Sequence, residues 1–379
     1  MSTPLPTDIR IPDDLLPADG RFGCGPSKVR PSALSALAAT GRSYMGTSHR
    51  QATVKSVVRR LRQGLTELFD LPEGYVVALG NGGATTFWDI ATCCLIERRS
   101  QHLVFGEFST KFAAAATAAP HLEAPDLVKS ATGTHPSPVA VPDVDLYALT
   151  HNETSTGVMM SSLGRPGGAD GGALVAVDAT SGAGALTFDP AEVDAYYFSP
   201  QKCFGSDGGL WVALLSPAAV DRVRRIAGTG RWIPASLDLG IALDNSELDQ
   251  TYNTPALATL WLLGDQVGWM LENGGLSWSA GRSSSSASIL YEWAEASAYA
   301  SPFVAKPDER SLVVGTIDLD PSISDKAVCQ ALRANGIVDT ESYRKLGRNQ
   351  LRVGMFPNVD PEDVEALTHC VDYVAERLG

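Results

Sequence analysis

Lys202 stands in AYYFSPQKCFGSDGGLWVALL, where an apolar run ends in Ser-Pro-Gln-Lys, a glycine-rich turn follows and a second apolar run begins. A lysine at the end of a buried strand loses part of its hydration, which lowers its pKa and makes the free amine a nucleophile toward an aldehyde. Taken alone, such a lysine is ordinarily a solvated loop residue, and only its neighbours change the balance. Asp178 closes a second apolar run, ALVAVDATSG, upstream of Lys202. A carboxylate buried there needs a cationic partner; a solvated one would simply cap the following helix. In a third segment, NGGATTFWDIATCCLI, glycines lead from the apolar run YVVALG into a helical pattern. The first amides of that helix, with Ala84 and Thr85 at the rim, form a cup for a phosphate. Neither the P-loop spacing nor the dinucleotide glycine fingerprint occurs in this segment.

One small molecule meets these three demands together. Pyridoxal phosphate brings an aldehyde for Lys202, a protonated pyridine nitrogen for Asp178 and a phosphate for the helix end, and its pairing with Asp178 keeps the ring an electron sink. Phe108, read as ending the strand LVFGEF, offers a face on which the ring can stack, although a strand-end Phe is usually core. Thr154, in THNETSTG, offers a hydroxyl to the ring oxygen, or is merely a turn residue.

Positioning these groups requires a scaffold of alternating strands and helices. Short apolar runs at 75–80, 102–108, 145–150, 173–179, 195–199 and 210–216 alternate with helical segments, the first of them VKSVVRRLRQGLTELF, and predict a mostly parallel sheet covered on both faces. A long apolar helix, TPALATLWLLGDQVGWMLE, stops at the glycine pair Gly274 and Gly275, where we place a domain boundary. The serine run at 283–286 continues into a helical pattern and reads as a polar helix face. Strand and helix alternate again from 312 to 378, as in a small α/β domain. The expected division is therefore an arm over 1–20, rich in Pro and Asp, a large domain over 21–274 and a small C-terminal domain over 275–379.

A chain of 379 residues, 44% hydrophobic and 19% charged, has the composition of a folded enzyme-sized protein. Its formal net charge of -13 argues against non-specific binding to nucleic acid or anionic membrane, so an anionic ligand needs a locally basic pocket. Six cysteines without a CxxC pair make a disulfide or zinc framework improbable, and no metal site is expected. The N-terminal segment lacks a basic stretch followed by an apolar run, and no apolar stretch is long enough to span a membrane, so the cytoplasm is the expected location.

The segments GCGPSKVRP, TSHRQ, HNETSTG, VDATSG, SPQKCFG, YNTPA and LRVGMF occur in the order and rough spacing found in phosphoserine aminotransferases. The resemblance covers nearly the whole chain. It implies the α/β architecture of fold-type I pyridoxal-phosphate-dependent transferases: a large domain with a mainly parallel seven-stranded sheet and a smaller C-terminal α/β domain. Carried over residue by residue, it gives Lys202 the covalent bond to the cofactor, Gln201 the cofactor phosphate, Asp178 the pyridine nitrogen and Thr154 the place of the threonine of Asn-Glu-Thr. Asn253 and Thr254 match the pair that reaches the cofactor phosphate of a neighbouring subunit, which implies a homodimer with shared active sites. For the substrate it points to His49, Arg50 and Lys345 for the phosphate end and to Arg352 for the α-carboxylate, which a planar guanidinium grips bidentately. Two departures stand out: Phe108 replaces the Trp of many relatives, and Ala84-Thr85 replaces Gly-Arg. The implied reaction exchanges L-glutamate and 3-phosphooxypyruvate for 2-oxoglutarate and O-phospho-L-serine, in serine biosynthesis, and some relatives also serve the phosphohydroxythreonine step of vitamin B6 biosynthesis. The alternatives are another enzyme of this fold, such as a cysteine desulfurase or lyase, for which Cys203 beside Lys202 is poorly placed, and a non-catalytic binding protein.

Overall fold

The computed structural model describes residues 5–169 and 171–378, so the first four residues of the expected arm lie outside it. Two helices, α1 (Pro31–Ala39) and α2 (Ala52–Leu68), precede the first strand. The helical spacing in α2 buries Val54, Val57, Val58, Leu61, Leu65 and Leu68 on one face. There follow β1 (Val76–Gly82), α3 (Ala84–Cys94), β2 (Ser100–Val104), α4 (Glu107–Ala118), β3 (Asp126–Lys129) and β4 (Leu146–Thr150). A small hairpin of β5 (Asn152–Glu153) and β6 (Val158–Met159) leads to β7 (Leu174–Asp178), β8 (Ala195–Phe198) and β9 (Gly209–Leu215). Three helices come next, α5 (Pro217–Ala227), α6 (Leu239–Glu247) and α7 (Leu257–Glu272). The remainder is α8 (Gly275–Ala296), β10 (Ala300–Pro302), β11 (Val314–Leu319), α9 (Asp325–Ala334), β12 (Gln350–Gly354) and α10 (Pro361–Leu378).

Seven strands form one sheet in the order β1-β9-β8-β7-β4-β2-β3. All neighbours pair in parallel except β9, which runs antiparallel to both β1 and β8. The alternation of side chains along each strand feeds two separate cores. Leu149, Val175, Val177, Tyr196 and Phe198 pack with α2 and α7 on one face. Ala148, Ala176, Ala195 and Tyr197 pack with Phe87, Trp88, Phe112, Val223 and Leu243 on the other. Because β1, β4, β7 and β8 point the same way, their carboxyl ends bring Gly83, Thr150, Asp178 and Lys202 to one edge of the sheet, where open α/β sheets bind ligands.

The C-terminal strands β10, β11 and β12 form an antiparallel sheet whose core includes Ala287, Leu290, Val328, Leu332, Leu367 and Val371. Ile9, Ile11 and Phe22 belong to this same core. The N-terminal segment is pinned there by Asn335, which accepts the Ile11 N–H at 3.0 Å and donates to the Ile9 carbonyl at 2.9 Å.

Three sequence expectations need correction. The run at 102–108 is not one strand: β2 ends at Val104, and Gly106 starts the turn into α4, so Phe108 sits in a first helical turn. The strand β3 was not anticipated, its four residues being half exposed at the sheet edge. The serine run is helical, but Ser283 and Ser286 are fully buried beside Ala287, not on a polar face. Small side chains allow close approach there, which a polarity pattern does not reveal.

Candidate active site

A cavity of 330 Å³ opens at the carboxyl edge of the large sheet, lined by Gly25, Gly83, Ala84, Thr85, Trp88, Phe108, Thr150, Asn152, Thr154, Asp178, Thr180, Ser181, Gln201 and Lys202. Nine of the residues singled out by chemistry or resemblance were expected at a cofactor, and seven of them meet here.

Lys202 reaches this cavity from the turn after β8. Its Nζ donates to the Cys24 carbonyl at 2.6 Å. The segment carrying Cys24 is in turn fastened to the lysine's own backbone, since Ser27 N–H donates to the Gln201 carbonyl at 2.8 Å and Ser27 Oγ to the Lys202 carbonyl at 2.5 Å. A Cβ on Gly25 would lie 2.0 Å from Lys202 Nζ, and Gly25 has a φ of +128°, so only glycine fits between strap and amine. Burial lowers the Lys202 pKa from 10.5 to about 8, with the nearby Arg352 pushing the same way. At neutral pH about a tenth of the amine is then free, far more than for a solvated lysine.

Asp178, the last residue of β7, is 4% exposed. Trp88 Nε1 donates to one carboxylate oxygen at 2.8 Å, and Thr180 donates to the other from its N–H at 3.0 Å and its hydroxyl at 2.6 Å. Burial nevertheless raises its pKa above the usual carboxylate value, the three donors and Lys202 opposing it.

The third element is the N-terminus of α3. Its N-cap, Gly83, has no side chain to cap the first turn, and a Cβ there would meet nothing closer than Ser199 Oγ at 3.6 Å. Ala84 and Thr85 begin the helix at the cavity wall. Gln201 faces the same space, and its amide oxygen is buried without a hydrogen-bond partner among the described residues.

These features fit pyridoxal phosphate on chemical grounds. The free amine suits its aldehyde, the buried acceptor its ring cation and the uncapped helix end its phosphate. Thr154 Oγ1 donates to Ser181 Oγ at 2.8 Å, and Phe108 lines the wall 6.3 Å from the Tyr343 ring.

The expected substrate groups are more dispersed. Arg352, on β12, donates to the Thr154 carbonyl at 3.3 Å, lies over Tyr343 and keeps a buried Nε without a hydrogen-bond partner among the described residues. Lys345 pairs with Glu107 and lines a neighbouring cavity of 320 Å³. His49 Nδ1 lies 3.2 Å from Thr254 Oγ1, and Thr254 in turn accepts from Asn81 at 2.8 Å. Neither of these, nor the exposed Arg50, nor Asn253, lines the Lys202 cavity within a single chain.

Sequence reasoning missed Trp88, Thr180 and the Cys24–Ser27 strap. Trp88 reads as one more apolar residue on an amphipathic helix, and the strap lies some 175 residues from Lys202 along the chain. GCGPSKVRP is rich enough in turn residues to have marked the strap. Cys203 is fully buried, its thiol donates to the Ser181 carbonyl at 3.2 Å, and burial raises its pKa far above the ordinary thiol value. It has none of the features of a mobile sulfur nucleophile.

A buried amine, a buried carboxylate and an open helix end at the carboxyl edge of a mainly parallel sheet define a fold-type I pyridoxal-phosphate enzyme. Residues 134–367 match the family model of class-V aminotransferases, and the chain belongs to that family. It is 60% identical over 370 residues to a phosphoserine aminotransferase of a Nocardioides species, covering 98% of this chain and 99% of that one. A phosphoserine aminotransferase of Rhodococcus jostii is 58% identical over the full length of both chains. Among solved structures, a phosphoserine aminotransferase from Cytophaga hutchinsonii superposes with a TM-score of 0.85 at 25% identity, covering 93% of this chain and 99% of that one. The expected fold class is thus met in sheet, strand number and family. Among the described residues no helix is long and apolar enough to cross a membrane.

Proposed function

We propose that the chain acts as a phosphoserine aminotransferase, moving the amino group of L-glutamate to 3-phosphooxypyruvate to give 2-oxoglutarate and O-phospho-L-serine. The observation that carries this reading is the Lys202 amine in one cavity with Asp178 and the open end of α3. The full-length likeness to relatives of that name supports the substrate pair.

Bound pyridoxal phosphate supplies an aldehyde that condenses with amines and a ring that accepts the electrons left on a deprotonated α-carbon. Lys202 would hold the cofactor and, freed of it, would move the proton at the substrate α-carbon. Asp178 would hold the ring nitrogen and supply the negative charge that favours its protonated form. Thr154 and Phe108 would hold the ring, and Gln201, Ala84 and Thr85 would hold the phosphate. Arg352 grips the substrate carboxylate; its partnerless Nε leaves donor capacity for that bond.

His49, Arg50, Asn253 and Thr254 serve the site of a second subunit in this reading. Their grouping outside the Lys202 cavity supports it, as do the exposed apolar side chains of Met45, Leu248 and Tyr252 nearby in the sequence. Lys345 joins the substrate phosphate by exchanging Glu107 for it. The enzyme is then a cytoplasmic homodimer of serine biosynthesis that also accepts the phosphohydroxythreonine precursor of vitamin B6, with its domains divided near residue 275.

A screen of amino donors and oxo acids tests the assignment. Glutamate with 3-phosphooxypyruvate should give the highest kcat/KM, with ping-pong kinetics, and Arg50→Ala should lower it about tenfold or more while sparing an unphosphorylated oxo acid. A preference for unphosphorylated acceptors, or equal losses for both in Arg50→Ala, would overturn it.

A further inference from the structure

We propose that Trp88 is a positioning residue for the cofactor ring, acting through Asp178. The carboxylate of Asp178 receives three hydrogen bonds, and two of them come from Thr180 in its own turn. The third, from the Trp88 indole, is the one that ties it to a different element, α3. The two Thr180 donors share one oxygen, so the Trp88 bond at 2.8 Å to the other oxygen fixes the plane of the carboxylate. That indole is itself braced, 5% exposed and stacked on Phe112 at 6.4 Å with the rings inclined by 16°.

The position of Trp88 along α3 gives the contact its meaning. Ala84 and Thr85 open the helix at the cavity, and Trp88 follows about one turn later on the same side, lining the same cavity. One rigid helix therefore presents its N-terminal amides to an anion and an indole N–H to the carboxylate that awaits a ring cation. It fixes the spacing between the two ends of the ligand. Without the indole N–H, the carboxylate is held from one side only. It is then free to turn from the ring nitrogen and is more readily protonated in its buried setting.

This inference rests on the assignment of Asp178 to the ring nitrogen, and the test separates the two. Cofactor-free protein is titrated with pyridoxal phosphate and with its 1-deaza analogue, in which carbon replaces the ring nitrogen, and Kd is read from tryptophan or cofactor absorbance changes. Trp88→Phe should raise Kd for pyridoxal phosphate about tenfold and that for the analogue less than twofold, with the melting temperature of the cofactor-free protein held. Benzothienylalanine placed at Trp88 keeps the bicyclic shape and exchanges the N–H for sulfur, and it should do the same should phenylalanine disturb packing. In an Asp178→Asn background, Trp88→Phe should cost nothing further. Equal losses for cofactor and analogue, or no loss for either, would mean that Trp88 only fills space. If Asp178→Asn itself fails to distinguish cofactor from analogue, the reading of Asp178 falls first, and the inference falls with it.

Discussion

Two neighbouring helices of the same sheet, α3 and α4, begin alike and end up opposite. Each follows a strand of the large sheet and starts after a glycine in extended conformation, Gly83 and Gly106. At α4 the protein supplies its own anion-like cap. The fully buried Glu153 accepts from Phe108 N–H at 3.1 Å, from Ser109 N–H at 2.9 Å and from Ser109 Oγ at 3.0 Å, and its other oxygen accepts from Ser155 Oγ at 2.7 Å. At α3 no carboxylate arrives among the described residues, and the helix end faces the Lys202 cavity. The same peptide geometry is thus a fastening in one place and a receptor in the other, and what differs is whether the fold brings a side chain to the amides.

Breaking the fastening should have the largest effect. Glu153→Ala leaves the amides of Phe108 and Ser109 and the Ser155 hydroxyl without their acceptor in the interior, and should destabilise the protein by about 3 kcal/mol or more, read by urea denaturation. A loss under about 1 kcal/mol would show that water replaces the carboxylate.

Converting the receptor into a fastening should come next. In Gly83→Asp the new Cβ meets only ordinary contacts, so the side chain can cap α3 and stabilise the cofactor-free protein by about 0.5 to 1 kcal/mol. The same carboxylate occupies the phosphate position, and the affinity for pyridoxal phosphate should fall about a hundredfold. Unchanged affinity would move the phosphate elsewhere.

The smallest change separates the two glycines. A Cβ on Gly106 would lie 2.2 Å from Glu153 Cγ, whereas one on Gly83 meets only Ser199 Oγ, at 3.6 Å. Gly106→Ala should therefore cost about 1 to 3 kcal/mol in stability and Gly83→Ala less than 1, in matched thermal melts. Similar costs at both positions would erase the distinction.

The contrast also marks what the sequence makes legible. Asp178, Lys202 and the glycines before α3 lie at or just past strand ends, where apolar alternation breaks off, and such positions can be read from one chain. Glu153 cannot, because it looks like a turn residue in HNETSTG until the hairpin of β5 and β6 carries it onto α4. Phe108 reads as a strand end because the turn at Gly106 interrupts an apolar run without changing its composition. Trp88 was hidden for a related reason: a tryptophan on a helix face satisfies the pattern of a core residue whatever its N–H does. Arg352 and Lys345 lie in segments whose motifs were read from sequence, yet only the fold shows that one bonds Thr154 and the other Glu107.

The central claim is that Lys202 is the amine that receives the cofactor, and borohydride reduction of the protein mixed with pyridoxal phosphate tests it directly. Peptide mapping should place the reduced adduct on Lys202, and Lys202→Ala should lose both adduct and turnover. Because the unprotonated amine reacts and burial sets its pKa near 8, the rate of adduct formation by cofactor-free protein should rise with pH up to about 8 and level off above it. An adduct on another lysine, or a rate still climbing toward the ordinary lysine pKa of 10.5, would contradict the account.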